Sequence, residues 1–327
     1  MRKGKLQQSV LVRSVFKVLG QKREDAAGPA VGRGVSAMAG EAGTQVFSCA
    51  PVLVKDTEDA VLAVCRVCNS VACAGAAVKG VLVSLLLPET MEEKNLKDLM
   101  RAIDGACARY ETAVIGGHTE VTDGVSNPVL TVTAAGATDR AGLFDPSCVT
   151  ADLDLVVTKG IALGASAYLA KTKEEELLTR FSPGFVHGAA DFAEDYSICR
   201  EAKTAVEYGA LAMQDLSEGG IFGALWEMAD GAGVGLDVAL KKIPIRQETV
   251  EICEFFGVNP YQMLSTGSVL IAAADGDGLV QALELEGIPA AVIGRTTAGK
   301  DRILRNGEEI RYLDKPQMDE MYRMGEK

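Results

Sequence analysis

The chain has 327 residues, 48% of them apolar and 24% charged, with a formal net charge of −12 and a pI near 4.8. Such a length suggests about two domains at ~150 residues each, and the composition supports a sizeable core and excludes global disorder. The acidic balance argues against a nucleic-acid partner, which needs a basic face, and no apolar run approaches the ~20 residues of a membrane span. The start, Met1-Arg2-Lys3-Gly4-Lys5, is basic, but the apolar stretch after it is interrupted by Arg13 and Lys17, so no signal peptide is predicted.

Leu6 to Leu19 reads as a helix, with Val10, Leu11, Val15 and Val18 on one face and Gly20 to close it. Glu24-Asp25-Ala26-Ala27 opens a glycine-rich, weakly patterned piece that runs to Gly43; a covering loop over a nucleotide and a plain connector both fit it. Val46 to Cys49 is a short strand. Asp56-Thr57-Glu58-Asp59 starts a helix that runs to about Gly75; Asp56 or Thr57 can cap it, and the acids suit the positive end of its dipole. Val81 to Leu87 is a buried strand, and Glu92 to Tyr110 an amphipathic helix with Leu96, Leu99, Ile103, Ala106 and Cys107 inward.

The stretch Gly116-Gly117-His118-Thr119-Glu120 follows an apolar run, Thr112 to Ile115. Two glycines there break the strand and let the backbone approach something closely, an anion or a nucleotide; taken alone, the pattern slightly favours a tight hairpin turn, since Gly-Gly turns are common. A β-branched strand, Val129 to Thr133, comes next. Pro146 and Ala151-Asp152 mark a change of domain, giving domains 1–148 and 149–327.

In the second domain, Leu153 to Val157 is a strand followed by Thr158-Lys159-Gly160, where a lysine and a free amide can hold an anion, or make a plain turn with the lysine solvated. Helices are predicted over 165–178 and 185–207. A short strand, Leu211 to Met213, leads into Gln214-Asp215-Leu216-Ser217-Glu218-Gly219-Gly220 and a helix carrying Leu225, Trp226 and Met228. Amides and dipole at such a helix start suit a phosphate, and Asp215 beside them suits a metal that bridges phosphates. The spacing matches neither the Walker loop nor the dinucleotide fingerprint. Then come a strand over 268–273, a helix over 278–285, a strand over 290–293, and a hairpin over 302–313 turning on Asn306-Gly307.

Of eight cysteines, Cys65 and Cys68 form the single CxxC, and there are two histidines, His118 and His187. With Val61, Val64, Val71 and Ala72 at helical spacing, these thiols read as small, reduced core residues. A cytoplasmic location follows. His187 reads as structural or surface.

Taken together, Glu24-Asp25-Ala26-Ala27, the helix with Asn69 and Ala74-Gly75-Ala76, the Gly116 to Glu120 stretch, Thr158-Lys159-Gly160, Asp215 to Gly220, Ser265-Thr266-Gly267 and Val292-Ile293-Gly294-Arg295 resemble the AIR synthase-related superfamily over nearly the whole chain. The GGHTEVT form resembles a branch often labelled hydrogenase maturation factor. The resemblance implies an α/β N-terminal domain whose sheet pairs into a dimeric β-barrel, an α+β C-terminal domain, and ATP with Mg2+ as cofactors. The implied chemistry is ATP-dependent activation or phosphorylation of a carbonyl or amide oxygen, of the ligase, dehydratase or kinase type. It implies a homodimer through the N-terminal domains. Asp25, Asn69, Gly116, Gly117, His118, Thr119, Lys159, Asp215, Gly219 and Gly220 are then the nucleotide residues, Asp25 and Asp215 the metal ligands, and His118 with Glu120 the catalytic pair.

The sequence departs from that family where carboxylates are expected: Ala50 stands before Pro51, Ser70 follows Asn69, and His118 follows the glycine pair. Magnesium prefers oxygen ligands, so weakened metal binding is expected, with Glu24 and Glu120 the carboxylates at hand to compensate. The tail Met324-Gly325-Glu326-Lys327 lacks the terminal cysteine that a HypE-like carbamoyl carrier implies. No cysteine lies in Gly20 to Gly43, where selenophosphate synthetase would imply one. A non-catalytic homodimer that binds nucleotide or a partner is the alternative reading.

Overall fold

The computed structural model describes residues 6–21, 23–41, 43–139, 144–316 and 318–324. Contacts divide the chain into two compact units. One contains residues 25–28 and the stretch from 34 to the segment before Phe144. The other contains the residues up to Glu24, residues 29–33, and everything from Phe144 onward. A first short helix, α1 (Gln8–Ser14), is followed by a 3-10 turn at Phe16–Val18 and belongs to the second unit. It is shorter than the periodicity predicts and buries no residue.

The N-terminal unit is an open six-stranded sheet with two helices. Its strands are β1 (Ala26–Ala27), β2 (Ser36–Gly40), β3 (Gly43–Leu53), β4 (Ala77–Pro88), β5 (Val114–Thr122) and β6 (Val129–Thr138), in the order β1-β2-β3-β6-β4-β5. The glycine-rich piece therefore contains two strands that its composition hides. β3 is more than twice as long as predicted. Its alternation is real, with Val46, Ser48 and Ala50 inward, but two of those three residues are too small or polar to register as a hydrophobic pattern. Helix α2 (Thr57–Cys73) starts where predicted: the Asp56 side chain accepts from Glu58 N, and Asp59 reaches back to form a capping box. Helix α3 (Glu93–Ala108) buries Leu99, Ile103, Ala106 and Cys107 and makes the crossover that allows β5 to lie parallel to β4. α2 packs on α3 and on β3, β4 and β6. Val81, Val83, Leu85 and Leu87 face this core, while Leu82, Ser84 and Leu86 turn to the other, uncovered face.

The second unit is a seven-stranded sheet with helices. In chain order it comprises β7 (Asp154–Thr158), α4 (Leu163–Thr172), α5 (Glu174–Leu177), α6 (Pro183–Ala190), α7 (Cys199–Tyr208), β8 (Ala212–Asp215), α8 (Gly220–Ala232), β9 (Gly235–Ala239), α9 (Gln247–Phe256), β10 (Val269–Ala273), α10 (Gly276–Leu285), β11 (Ala290–Thr297), β12 (Arg302–Asn306), β13 (Glu309–Tyr312) and α11 (Glu320–Met324). The strand order is β13-β12-β9-β11-β7-β10-β8, antiparallel except for β12 on β9. The predicted helices over 165–178 and 185–207 each break, at Lys173 and at a 3-10 turn over Asp191–Asp195, and β9 and α9 lie in stretches that carried no prediction. Two cores result: Leu155, Val157, Leu225, Leu236, Leu270 and Ile293 around the sheet, and Leu169, Val186, Ile252 and Met263 among the helices. Among the described residues no helix is long and apolar enough to cross a membrane.

Candidate functional site

In the N-terminal unit the Gly116 to Glu120 stretch is not a break in a strand. β5 continues through both glycines as the edge of the sheet, with a shift in its register to β4 just before them. The close approach that the glycine pair permits is to the neighbouring strand. Gly117 has φ +151°, and a Cβ there would overlap the Val83 carbonyl oxygen of β4. Once the backbone is held so, His118 stands beside Ser84 and Glu120 beside Leu86, on the uncovered face. His118 Nε2 lies 2.9 Å from Glu120 Oε2, with the two side chains 67% and 53% exposed. An imidazole and a carboxylate at i and i+2 of a strand share a face, which gives this pair a proton-transfer geometry that solvent or a substrate can reach.

The other N-terminal candidates are placed differently. Asn69 is 1% exposed in α2, and its Oδ1 accepts from the Tyr110 hydroxyl at 2.7 Å. Asp25 is exposed just before β1, and its carbonyl accepts from Ala39 N at 2.7 Å. β1 and β5 are opposite edges of the sheet, five strand spacings apart at about 4.8 Å each measured along it. One copy of this unit does not bring Asp25 to His118.

In the second unit Asp215 ends β8, and the chain turns through Leu216 to Gly220 into α8. Gly219 and Gly220 have φ of +89° and +60°, a pair of left-handed residues that other side chains rarely adopt. A Cβ on Gly220 would also meet the carbonyls of Met263 at 2.7 Å and Tyr261 at 2.8 Å. Ser265 N donates to Ser217 O at 3.4 Å, so the Ser265-Thr266-Gly267 stretch braces this turn. The amide of Gly219 is already engaged: it donates to Asp319 Oδ2 at 2.7 Å. Asp319 is the residue that sequence reasoning missed. Its one signal is the three-residue spacing of Met318, Met321 and Met324 around it, which marks a docking face.

Lys159 corrects its prediction. It neither waits for an anion nor lies in solvent. Its Nζ donates to the carbonyls of Asp195 at 2.8 Å and Ser197 at 2.9 Å, and pairs with Glu201 at 2.6 Å in a nearly closed environment. His187, by contrast, is exposed and 3.1 Å from Glu174, as a surface residue. The CxxC thiols are buried and form no disulfide, and the same holds for Cys73, Cys107 and Cys253. Burial pushes Cys65 and Cys253 up to about 12 and Cys107 up to about 11, which keeps these three thiols protonated and weakly nucleophilic near pH 7. Ala50 and Ser70, at the positions where the family resemblance implies carboxylates, are buried. Among the described residues no three carboxylate, imidazole or thiolate groups converge. Asp25 and Asp215 lie in different units, so neither unit by itself carries both of the carboxylates expected to hold magnesium.

The N-terminal domain of AIR synthase related proteins matches residues 29–138 and the C-terminal domain of the same proteins matches residues 151–305. The chain belongs to the AIR synthase-related family. A protein of Methanocaldococcus jannaschii described as a hydrogenase expression/formation protein is 29% identical over 218 residues, 66% of this chain and 62% of its own length. The carbamoyl dehydratase HypE of Rhodobacter capsulatus is 24% identical over 251 residues, covering 72% of this chain and 69% of that one. Among solved structures, a HypE–HypF complex superposes with a TM-score of 0.74 at 18% identity, covering 94% of this chain and 99% of that one. A HypE in complex with ATP superposes with a TM-score of 0.70 at 16% identity, covering 97% of each chain. The two-domain fold is therefore that of this family, and the N-terminal sheet of a single copy is open rather than a closed barrel.

Proposed function

We propose that the protein binds ATP and uses it to activate or phosphorylate a carbonyl or amide oxygen of its substrate, in a maturation pathway of the hydrogenase type. The observation that carries this reading is the His118–Glu120 pair, two proton-handling groups 2.9 Å apart and open to a ligand on an edge strand. In this reading the amide oxygen of the substrate attacks the γ-phosphorus of ATP and ADP leaves, while His118 takes the proton that the amide nitrogen gives up and Glu120 orients the ring. Gly116, Gly117 and Thr119 shape the approach, Asn69 supports it from α2, and Asp215 with the Gly219–Gly220 turn receives phosphate at the start of α8. Lys159 contributes by fixing the fold. A magnesium ion would supply charge neutralisation on the nucleotide, and Asp25 and Asp215 are the carboxylates that would help hold it. The relatives named HypE, and the HypE solved with ATP, support the nucleotide and the pathway.

We further infer a homodimer through the N-terminal sheets. Asp25 and His118 sit on opposite edges of one sheet, so a second copy is the simplest way to bring them to one site. The uncovered face carries Leu53 and Leu82, and edge strand β5 carries Ile115 and Val121, all exposed. ATP with magnesium is expected to raise the melting temperature of the protein, and H118A to remove that shift and any substrate-stimulated ATP turnover. No shift at millimolar ATP sinks the reading. The alternative, a nucleotide- or partner-binding dimer without turnover, draws on buried Ala50 and Ser70. ATP turnover stimulated by any substrate ends it.

A further inference from the structure

The C-terminal segment brings a buried acid onto the glycine turn of the second unit. Asp319 is 3% exposed. Its Oδ2 accepts from Gly219 N at 2.7 Å and its Oδ1 from Met321 N at 2.9 Å. The N-cap residue of α8, Gly219, has no side chain of its own to cap the helix, and this carboxyl, 100 positions downstream, accepts from its amide. Met321 and Met324 hold the segment by packing on the helical core that contains Leu169, Val186 and Ile252.

The two amide donors and the positive end of α8 compensate the charge only in part. Glu218 faces Asp319 from the turn, and Glu320 follows it in the chain. Arg323, the nearby cation, is paired with Glu320 at 2.6 Å. Tyr261, whose carbonyl closes on Gly220, has its phenol pushed up by burial and stays neutral near pH 7. Among the described residues no cation pairs with Asp319.

We propose that Asp319 is a latch: its carboxyl holds segment 318–324 on the turn that opens α8, and ionisation of that carboxyl releases the segment and uncovers the Gly219 amide. Burial pushes the group from 3.8 up to about 7, against the pull of its two amide donors. The docked segment thus holds the proton more tightly than the released one. Docking is fully supported below the ordinary value, weakens as pH rises from there, and is weakest once pH has passed the raised value. The buried acid, its two acidic neighbours and the methionine anchors together make a contact that closes in acid and loosens above neutrality.

Hydrogen exchange of the full-length protein without nucleotide tests this, with rates normalised to the free-chain rate at each pH. Opening of 318–324 is expected to rise about tenfold from pH 6 to pH 8, while β10 in the core stays unchanged. D319N is expected to abolish that pH dependence. A segment whose normalised opening is the same at both pH values overturns the latch, as does D319N that retains the rise. The wild-type series decides alone if D319N does not fold. The measurement needs no ATP, so its outcome stands apart from the nucleotide reading.

Discussion

Lys159 occupies a left-handed backbone position, φ +57°, and directs its ammonium into a closed pocket between two carbonyls and Glu201. The Glu201 partner is 2% exposed. Removing one half of such a pair leaves the other charge buried without compensation, so K159A is expected to destabilise the second unit by roughly 3–5 kcal/mol in urea unfolding. H118A removes only an exposed side chain, so its unfolding free energy is expected to stay within about 0.5 kcal/mol of the parent while the ATP effect is lost. Such a contrast would separate a residue that builds the fold from one proposed to serve a ligand. In sequence the two looked alike, each a polar residue beside glycine. Nothing in Thr158-Lys159-Gly160 discloses the carbonyls and carboxylate that enclose the lysine, because they come from the distant 195–201 stretch.

At the level of single elements, sequence reading succeeded where a local signal and burial agree. Asp56 caps α2 through its own neighbours, and the α3 face is apolar at helical spacing, so both helices were legible. β5 was misread because glycine usually ends strands, whereas here Gly117 is the residue that lets one strand lie against the next. G117A is expected to cost roughly 1–3 kcal/mol from backbone conformation alone, and more through displacement of β4, read by denaturant unfolding. The Gly219–Gly220 turn is expected from sequence to offer amides to a phosphate, and in the structure the Gly219 amide donates to Asp319. That acceptor was not legible, since the tail that supplies Asp319 offers only spaced methionines between polar residues.

The whole molecule sets one copy's limits. Both family domains were legible because their marks recur in order along the chain, and both are present. The site was less legible, because Asp25 and His118 are brought to opposite margins of one sheet. If a second copy completes the site, Leu82, exposed on the uncovered face, lies in the contact. L82K is expected to turn a dimer into a monomer at micromolar concentration by light scattering, and to abolish the ATP response although His118 is untouched. An unchanged dimer places the contact elsewhere.

The distribution of thiols offers a practical handle on that arrangement. Cys65, Cys68, Cys73, Cys107 and Cys253 are buried, whereas Cys49 and Cys148 are exposed and Cys199 partly so. Cys49 stands on β3, its sulfur 3.2 Å from Thr133 Oγ1, and Thr133 is level with Leu82 on the sheet. With Cys148 and Cys199 replaced by serine, a maleimide dye or nitroxide reacts at Cys49 alone and becomes a reporter on the open face. Its spectrum registers each partner that covers that face, without any knowledge of the natural substrate.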